Sequence, residues 1–160
     1  MENKADKSII VYAITEKGPD IVHASSNLPQ SRIQEISLYH LLLVAQGTWH
    51  HKGVFLLPIP VNNLNLTHKA IYFGFEIFDP EQKDPRTNGT RYGCVITFVP
   101  NDILATTDLI SLEKSFNTFF SKIKTFQALK QKALFTKLQT FIKKNVFPKK
   151  KKAKVITQLN

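Results

Sequence analysis

Two segments, HKAIYFGFEIFD at residues 68 to 79 and TRYGCVITFVP at residues 90 to 100, constrain this chain more than any other feature. Each is dense in aromatic and β-branched side chains, which suit a pleated and largely buried surface, so both read as strands. Directly after Pro100 the apolar period changes. Leu109, Leu112, Phe116, Phe119, Ile123 and Phe126 step by 3, 4, 3, 4 and 3, the spacing of one helix face, and that helix is expected to end near Thr125. A second helix is expected from roughly 129 to 146, with Leu134, Leu138, Phe141 and Ile142 on one side, lysines elsewhere, and Pro148 as its stop. A chain so patterned must lay helices on a sheet.

The front half supplies the remaining elements. SIIVYAITEKGPDIVHAS, residues 8 to 25, alternates as a half-buried strand does and breaks at Lys17-Gly18-Pro19-Asp20, which predicts an opening hairpin. In LPQSRIQEISLYHLLLVAQG, Ser31 and Gln34 have the spacing of a capping box. Ile33, Ile36, His40 and Leu43 recur at helical intervals, and Gly47 is placed for a stop. The second half of this helix, LLLVA, carries more apolar residues than one face can bury. GVFLLPIP, residues 53 to 60, reads as an edge strand ending at Pro58 and Pro60, which cannot donate to a ladder. Between the two long strands lies PEQKDPRTNG, long for a hairpin loop, in which Asn88-Gly89 is turn chemistry. The order is β-β-α-β-β-β-α-α. It predicts an α+β fold, an α/β arrangement with a five-stranded, mainly antiparallel sheet, one helix on one face and two on the other.

Composition narrows the function classes. A chain of 160 residues with 42% apolar content fits one domain. Cys94 is the only cysteine, so no intramolecular disulfide can form and a reducing compartment suits the chain. The first apolar run is too short for a secretory signal, and no run approaches the roughly 18 residues needed to span a bilayer. A cytoplasmic protein, peripheral to membrane at most, is expected. Charge is split along the chain: nine Lys or Arg against twelve Asp or Glu through Glu113, then thirteen lysines with no arginine and no acid. Such asymmetry favours an anionic partner. Lysine without arginine suits diffuse attraction better than bidentate reading of base edges or phosphates.

No reaction chemistry is legible. There is no Walker loop, G-x-G-x-x-G, G-x-S-x-G or H-E-x-x-H. Strand alternation sets Cys94 with Tyr92, Ile96 and Phe98, as a core thiol. His50 and His51 are adjacent and point apart in regular structure. Glu76, Asp79, Glu81 and Asp84 lack the spacing of a calcium loop and read as a wet loop beside Lys83 and Arg86. No catalytic residue, metal or cofactor is expected. The end of the chain, NVFPKKKKAKV, fits four uses: nuclear import signal, nucleic-acid hook, membrane foot, or solvated tail. It lacks interleaved aromatics for base stacking. Lys143, Lys144, Lys149, Lys150, Lys151, Lys152 and Lys154 are therefore assigned to an anionic membrane, with Val146 and Phe147 as shallow apolar contacts. A basic nucleic-acid-binding protein is the alternative. Residues 147 to 160 are expected to be disordered.

The order of elements resembles a longin domain, the profilin-like fold of membrane-traffic proteins, over residues 8 to about 146. IIVYAITEKGPDIVHAS resembles a longin first hairpin. GVFLLPIPVNNLNLTHKAIYFGFEIFD followed by TRYGCVITFVP is similar to the third to fifth strands of longin units in nitrogen-permease-regulator and DENN-type proteins. The long loop at 80 to 89 and the lysine tail depart from that pattern. The resemblance implies protein binding, commonly to a small GTPase or to a second longin or roadblock-type subunit, with pairing edge to edge or helix to helix as a homodimer or heterodimer. It implies no catalytic residues. Candidate contact residues are Ile21 and His23 on the open second-strand edge, Leu41 and Leu42 on the first helix, and Arg86 and Asn88 in the long loop. Phe120 joins them because it lies off the main aromatic stripe.

Overall fold

The computed structural model describes residues 8–15, 17–25, 28–44, 52–60 and 64–148. Five strands, β1 (Ile9–Thr15), β2 (Gly18–Ser25), β3 (Gly53–Leu57), β4 (His68–Phe78) and β5 (Thr90–Pro100), form one open sheet in the order β2-β1-β5-β4-β3. Every neighbouring pair is antiparallel. Among the described residues there are six helices: α1 (Gln30–Val44), α2 (Leu64–Thr67), α3 (Asn101–Leu104), α4 (Leu109–Ser121), α5 (Phe126–Leu129) and α6 (Lys132–Asn145). α2, α3 and α5 are single turns that the hydrophobic period does not announce.

Alternation sorts the side chains of the sheet into two cores. Ile9, Val11, Ile71, Phe73, Phe75, Val95 and Val99 face Leu112, Phe116, Leu138 and Ile142 of α4 and α6. Ile10, Tyr12, Ala70, Tyr72, Cys94, Ile96 and Phe98 face Ile33, Ile36 and Leu41 of α1. One long helix thus covers one face and two cover the other. Phe73 is the pivot of the second layer, stacked on Phe116 with ring centroids 4.5 Å apart. Gly93 is required in the same layer, because a Cβ there would lie 2.5 Å from the Tyr12 carbonyl oxygen and 2.8 Å from the Phe75 ring.

Several boundaries differ from the sequence reading. The opening hairpin pairs Thr15 directly with Gly18, which takes φ +104°, so Pro19 and Asp20 lie in β2 instead of the turn. Pro19 is tolerated there because β2 is an edge strand. Helix α1 begins one residue before Ser31. The Pro29 carbonyl accepts from the Arg32 and Ile33 N–H groups at 2.9 and 3.1 Å and so fills the N-cap role expected of Ser31. Gly47, the expected stop, lies outside the described residues. The expected helix from Leu109 to Thr125 ends at Ser121, and Phe126 belongs to α5. Asp108 caps α4 through the Ile110 and Ser111 N–H groups, and Thr125 caps α5 through the Ala128 N–H. The edge strand β3 stops at Leu57, before both prolines, as the sequence implies.

Candidate functional site

Among the described residues, helix α1 presents the clearest unpartnered apolar surface. Its inward stripe, Ile33, Ile36, Ser37, His40 and Leu41, is buried. Spaced by three and four residues, Glu35, Leu38 and Leu42 share the outer side; Leu38 is 46% and Leu42 62% exposed. The excess of leucines in this helix is therefore divided: Leu41 belongs to the core, contrary to its assignment as a contact residue, and Leu42 is free. Arg32 pairs with Glu35 at 2.6 Å at the head of the outer stripe. A second exposed apolar surface lies at the β3 edge, where Leu56, Pro58, Lys69 and Leu104 line a shallow groove and Leu66 stands exposed on α2.

The β2 edge is less open than expected. A β-bulge pairs Val11 with His23 and Tyr12 with Ile21, leaving Val22 as the extra residue. Ile21 consequently packs with the α1 core and Val22 with the opposite one. His23 donates its Nε2–H to the Leu129 carbonyl at 2.7 Å and stacks on Phe135 at 4.7 Å between centroids. The chain's own helices thus occupy both residues assigned to this edge. Phe120 is likewise internal: it stacks on Phe75 at 4.6 Å and lies 5.2 Å from the Phe73 ring. A helix covers more than one row of a sheet, so an off-stripe aromatic still finds sheet beneath it.

Asn88 is exposed and left-handed at φ 49°, followed by Gly89 at φ 71°, which closes the long loop onto β5. Arg86 lies in the 3₁₀ turn Pro85–Thr87; its side chain is outside the described residues. The loop is anchored by one of the acids that the sequence reading assigned to a wet loop. The Asp79 carboxylate, 1% exposed, accepts from Arg91 at 2.9 and 3.1 Å, from Gln127 Nε2 at 2.9 Å and from the Glu81 N–H at 3.0 Å. Burial opposes its ionisation, and the hydrogen bonds from Gln127, Arg91 and Glu81 outweigh it, holding the carboxyl below the usual range. Arg91 and Lys130 both sit over the Phe126 ring. The expected wet acidic loop is thus corrected at Asp79, which is a buried tie between loop, β5 and α5. Among the described residues no group of three or more His, Cys, Asp or Glu side chains is placed to hold a metal.

Cys94 is fully buried beside the Tyr12 and Tyr72 hydroxyls. Burial pushes the thiol well up, against the hydrogen bonds that favour the thiolate. A sealed, protonated thiol has no route to a substrate.

Lys143 and Lys144 are exposed in the last turn of α6, where cations complement the helix dipole. Lys149, Lys150, Lys151, Lys152 and Lys154 lie outside the described residues, as does the expected disordered tail of residues 147 to 160 beyond Pro148; its first residue, Phe147, is placed against the core. Val146 is buried and so is not available as a shallow membrane contact, and Phe147 packs partly against the α4–α6 core. No helix among the described residues is long and apolar enough to cross a membrane. Compared with family models, curated proteins and solved structures, the chain shows no match.

Proposed function

We propose that this chain is a longin-like, non-catalytic protein-binding module, acting in the cytoplasm as an adaptor or small-GTPase regulator subunit in membrane traffic or signalling. Its partner is a small GTPase or a second longin or roadblock-type subunit, and its basic end assists recruitment to anionic membrane. The topology supports the kinship: an opening hairpin, a helix that carries the chain across one face to the far edge, a three-strand return and two helices on the other face. The observation that carries the binding role is the Leu38 and Leu42 pair, held outward on a helix whose other side is fully engaged. Large exposed apolar side chains at one helix repeat are the anchors of a helix-to-helix contact.

A photo-crosslinking residue placed at Leu42 of the full chain, in its own cells, is expected to capture a small GTPase or a longin-fold subunit. Leu38→Glu with Leu42→Glu abolishes that capture and leaves the melting temperature unchanged, because both sites are exposed. Capture of nucleic acid alone, or an identical capture pattern in the substituted chain, sinks the reading.

A further inference from the structure

The helical layer carries more positive charge than its share of the chain. Lys114, Lys122, Lys124, Lys130, Lys132, Lys137, Lys143 and Lys144 are all exposed. No Asp or Glu follows Glu113 in the sequence. Glu113 itself is engaged by the Val54 N–H at 3.2 Å. None of these eight lysines forms an ion pair among the described residues. In α6 the buried positions Leu138 and Ile142 and the half-buried Leu134 and Phe141 mark the side facing the sheet. At 100° per residue, Lys132 and Lys143 fall on the opposite side, and Lys137 and Lys144 on one flank.

Between them the surface is small and chemically quiet. Ala133, Thr136 and Thr140 occupy the outer centre of α6, and the threonine hydroxyls turn back onto the Lys132 and Thr136 carbonyls at 3.2 and 3.1 Å. On α4, Thr118 does the same to Lys114 at 3.0 Å. The aromatics of these helices are directed inward: Phe141 contacts Phe116 and Phe119, and Phe120 contacts Phe73 and Phe75. A nucleic-acid site of this kind would want stacking platforms or guanidinium forks, and the layer offers neither. The cleft beside it, between α3 and the end of α6, is lined by Asp102 and Asp108, which repel any anion and so bound the basic surface on that side. Spread ammonium groups on an exposed helical face match a sheet of anionic headgroups.

We infer that the outer face of α4–α6 is a docking surface for an anionic lipid bilayer, independent of the lysines beyond Pro148. This deepens the basic-end part of the proposed function and rests on it, but not on what α1 binds. The Leu38→Glu, Leu42→Glu chain keeps full vesicle affinity, so the two ideas fail separately.

The test uses the full chain and vesicles of three parts phosphatidylcholine to one part phosphatidylserine, with pure phosphatidylcholine as the blank. Each lysine near the charged leaflet contributes about fivefold in affinity. Lys114→Gln, Lys132→Gln, Lys137→Gln and Lys143→Gln together should lower affinity tenfold or more, and arginine at the same four positions should restore it. With glutamine at Lys149 to Lys152 and Lys154 instead, the chain still binds above the blank. A cysteine-reactive, environment-sensitive dye at Thr140→Cys reports position directly, since Cys94 is sealed; it brightens on phosphatidylserine vesicles, whereas a dye at Leu42→Cys does not. A loss below tenfold in the folded glutamine chain, a silent Thr140 dye, or no binding without the tail lysines overturns the inference. Tighter retention of duplex DNA than of vesicles at physiological salt overturns it in favour of nucleic acid.

Discussion

Beneath α1, His40 donates its Nε2–H to the Pro58 carbonyl at 2.9 Å, while its Nδ1 has no hydrogen-bond partner among the described residues. A second proton would place a charge at that buried, unpartnered nitrogen. Burial therefore lowers the pKa, and the bond to Pro58 opposes this only in part. The unfolded chain binds that proton at the ordinary value of about 6.5, the folded chain only at lower pH, so stability is full above about 6.5 and declines as pH falls below it. Asp79 acts in the same direction in a lower window: its folded pKa is depressed, so its contribution is present above about 3.9 and lost as pH falls through the folded value. Urea melts across pH should show two successive declines. His40→Gln should remove the upper one, and Asp79→Asn the lower one at a cost of about 3 kcal/mol at neutral pH, since Arg91 keeps its charge without a counterion. A pH profile unchanged by His40→Gln would show that its ring is solvated. Neither behaviour could be read from sequence, because a histidine at helical spacing and an aspartate in a proline-rich loop look the same whether buried or wet.

At the level of elements, the aromatic ladder of α4 is what fastens the second helical layer to β4. Phe120 stacks on Phe75, tilts over Phe73 and meets Phe119 edge-on at 5.5 Å. Phe120→Ala should cost about 2 kcal/mol of stability, the value of a largely buried aromatic, and leave binding through α1 untouched. Calorimetry checks the first part; a neutral melting temperature would return Phe120 to the surface. The strands were legible because β4 and β5 are buried on both faces and need β-branched and aromatic residues throughout. Helix ends were less so. The 3 and 4 stepping continues through Ile123 and Phe126, since those side chains still point into the core after the backbone leaves the helix at Ser121. Asp108 and Thr125 were the available signals for the caps. The β2 bulge had none, because one inserted residue leaves the composition of a strand unchanged, yet it turns Ile21 and His23 to opposite faces.

For the whole molecule, the split between an acid-bearing sheet half and an acid-free helical end has a thermodynamic consequence of its own. Two lysines about 10 Å apart in water repel by about 0.4 kcal/mol, and salt near 0.1 M cuts this roughly threefold. Eight unpaired lysines on α4 to α6 make several such neighbours, a total of about 1 to 2 kcal/mol held against folding at low salt. Opposed to this are the exposed pairs Arg32 with Glu35 and Lys52 with Glu76, each worth little. The buried Arg91 and Asp79 pair is screened weakly. Repulsion wins, so adding sodium chloride from a few millimolar to physiological strength should raise the melting temperature by about 2 to 6 °C. Glutamine at Lys114, Lys132, Lys137 and Lys143 should raise the low-salt value and flatten the dependence. A melting temperature that falls with salt would mean these lysines have found acidic partners. If it rises, the same repulsion is what an anionic surface relieves, so the feature that weakens the free fold strengthens the bound one.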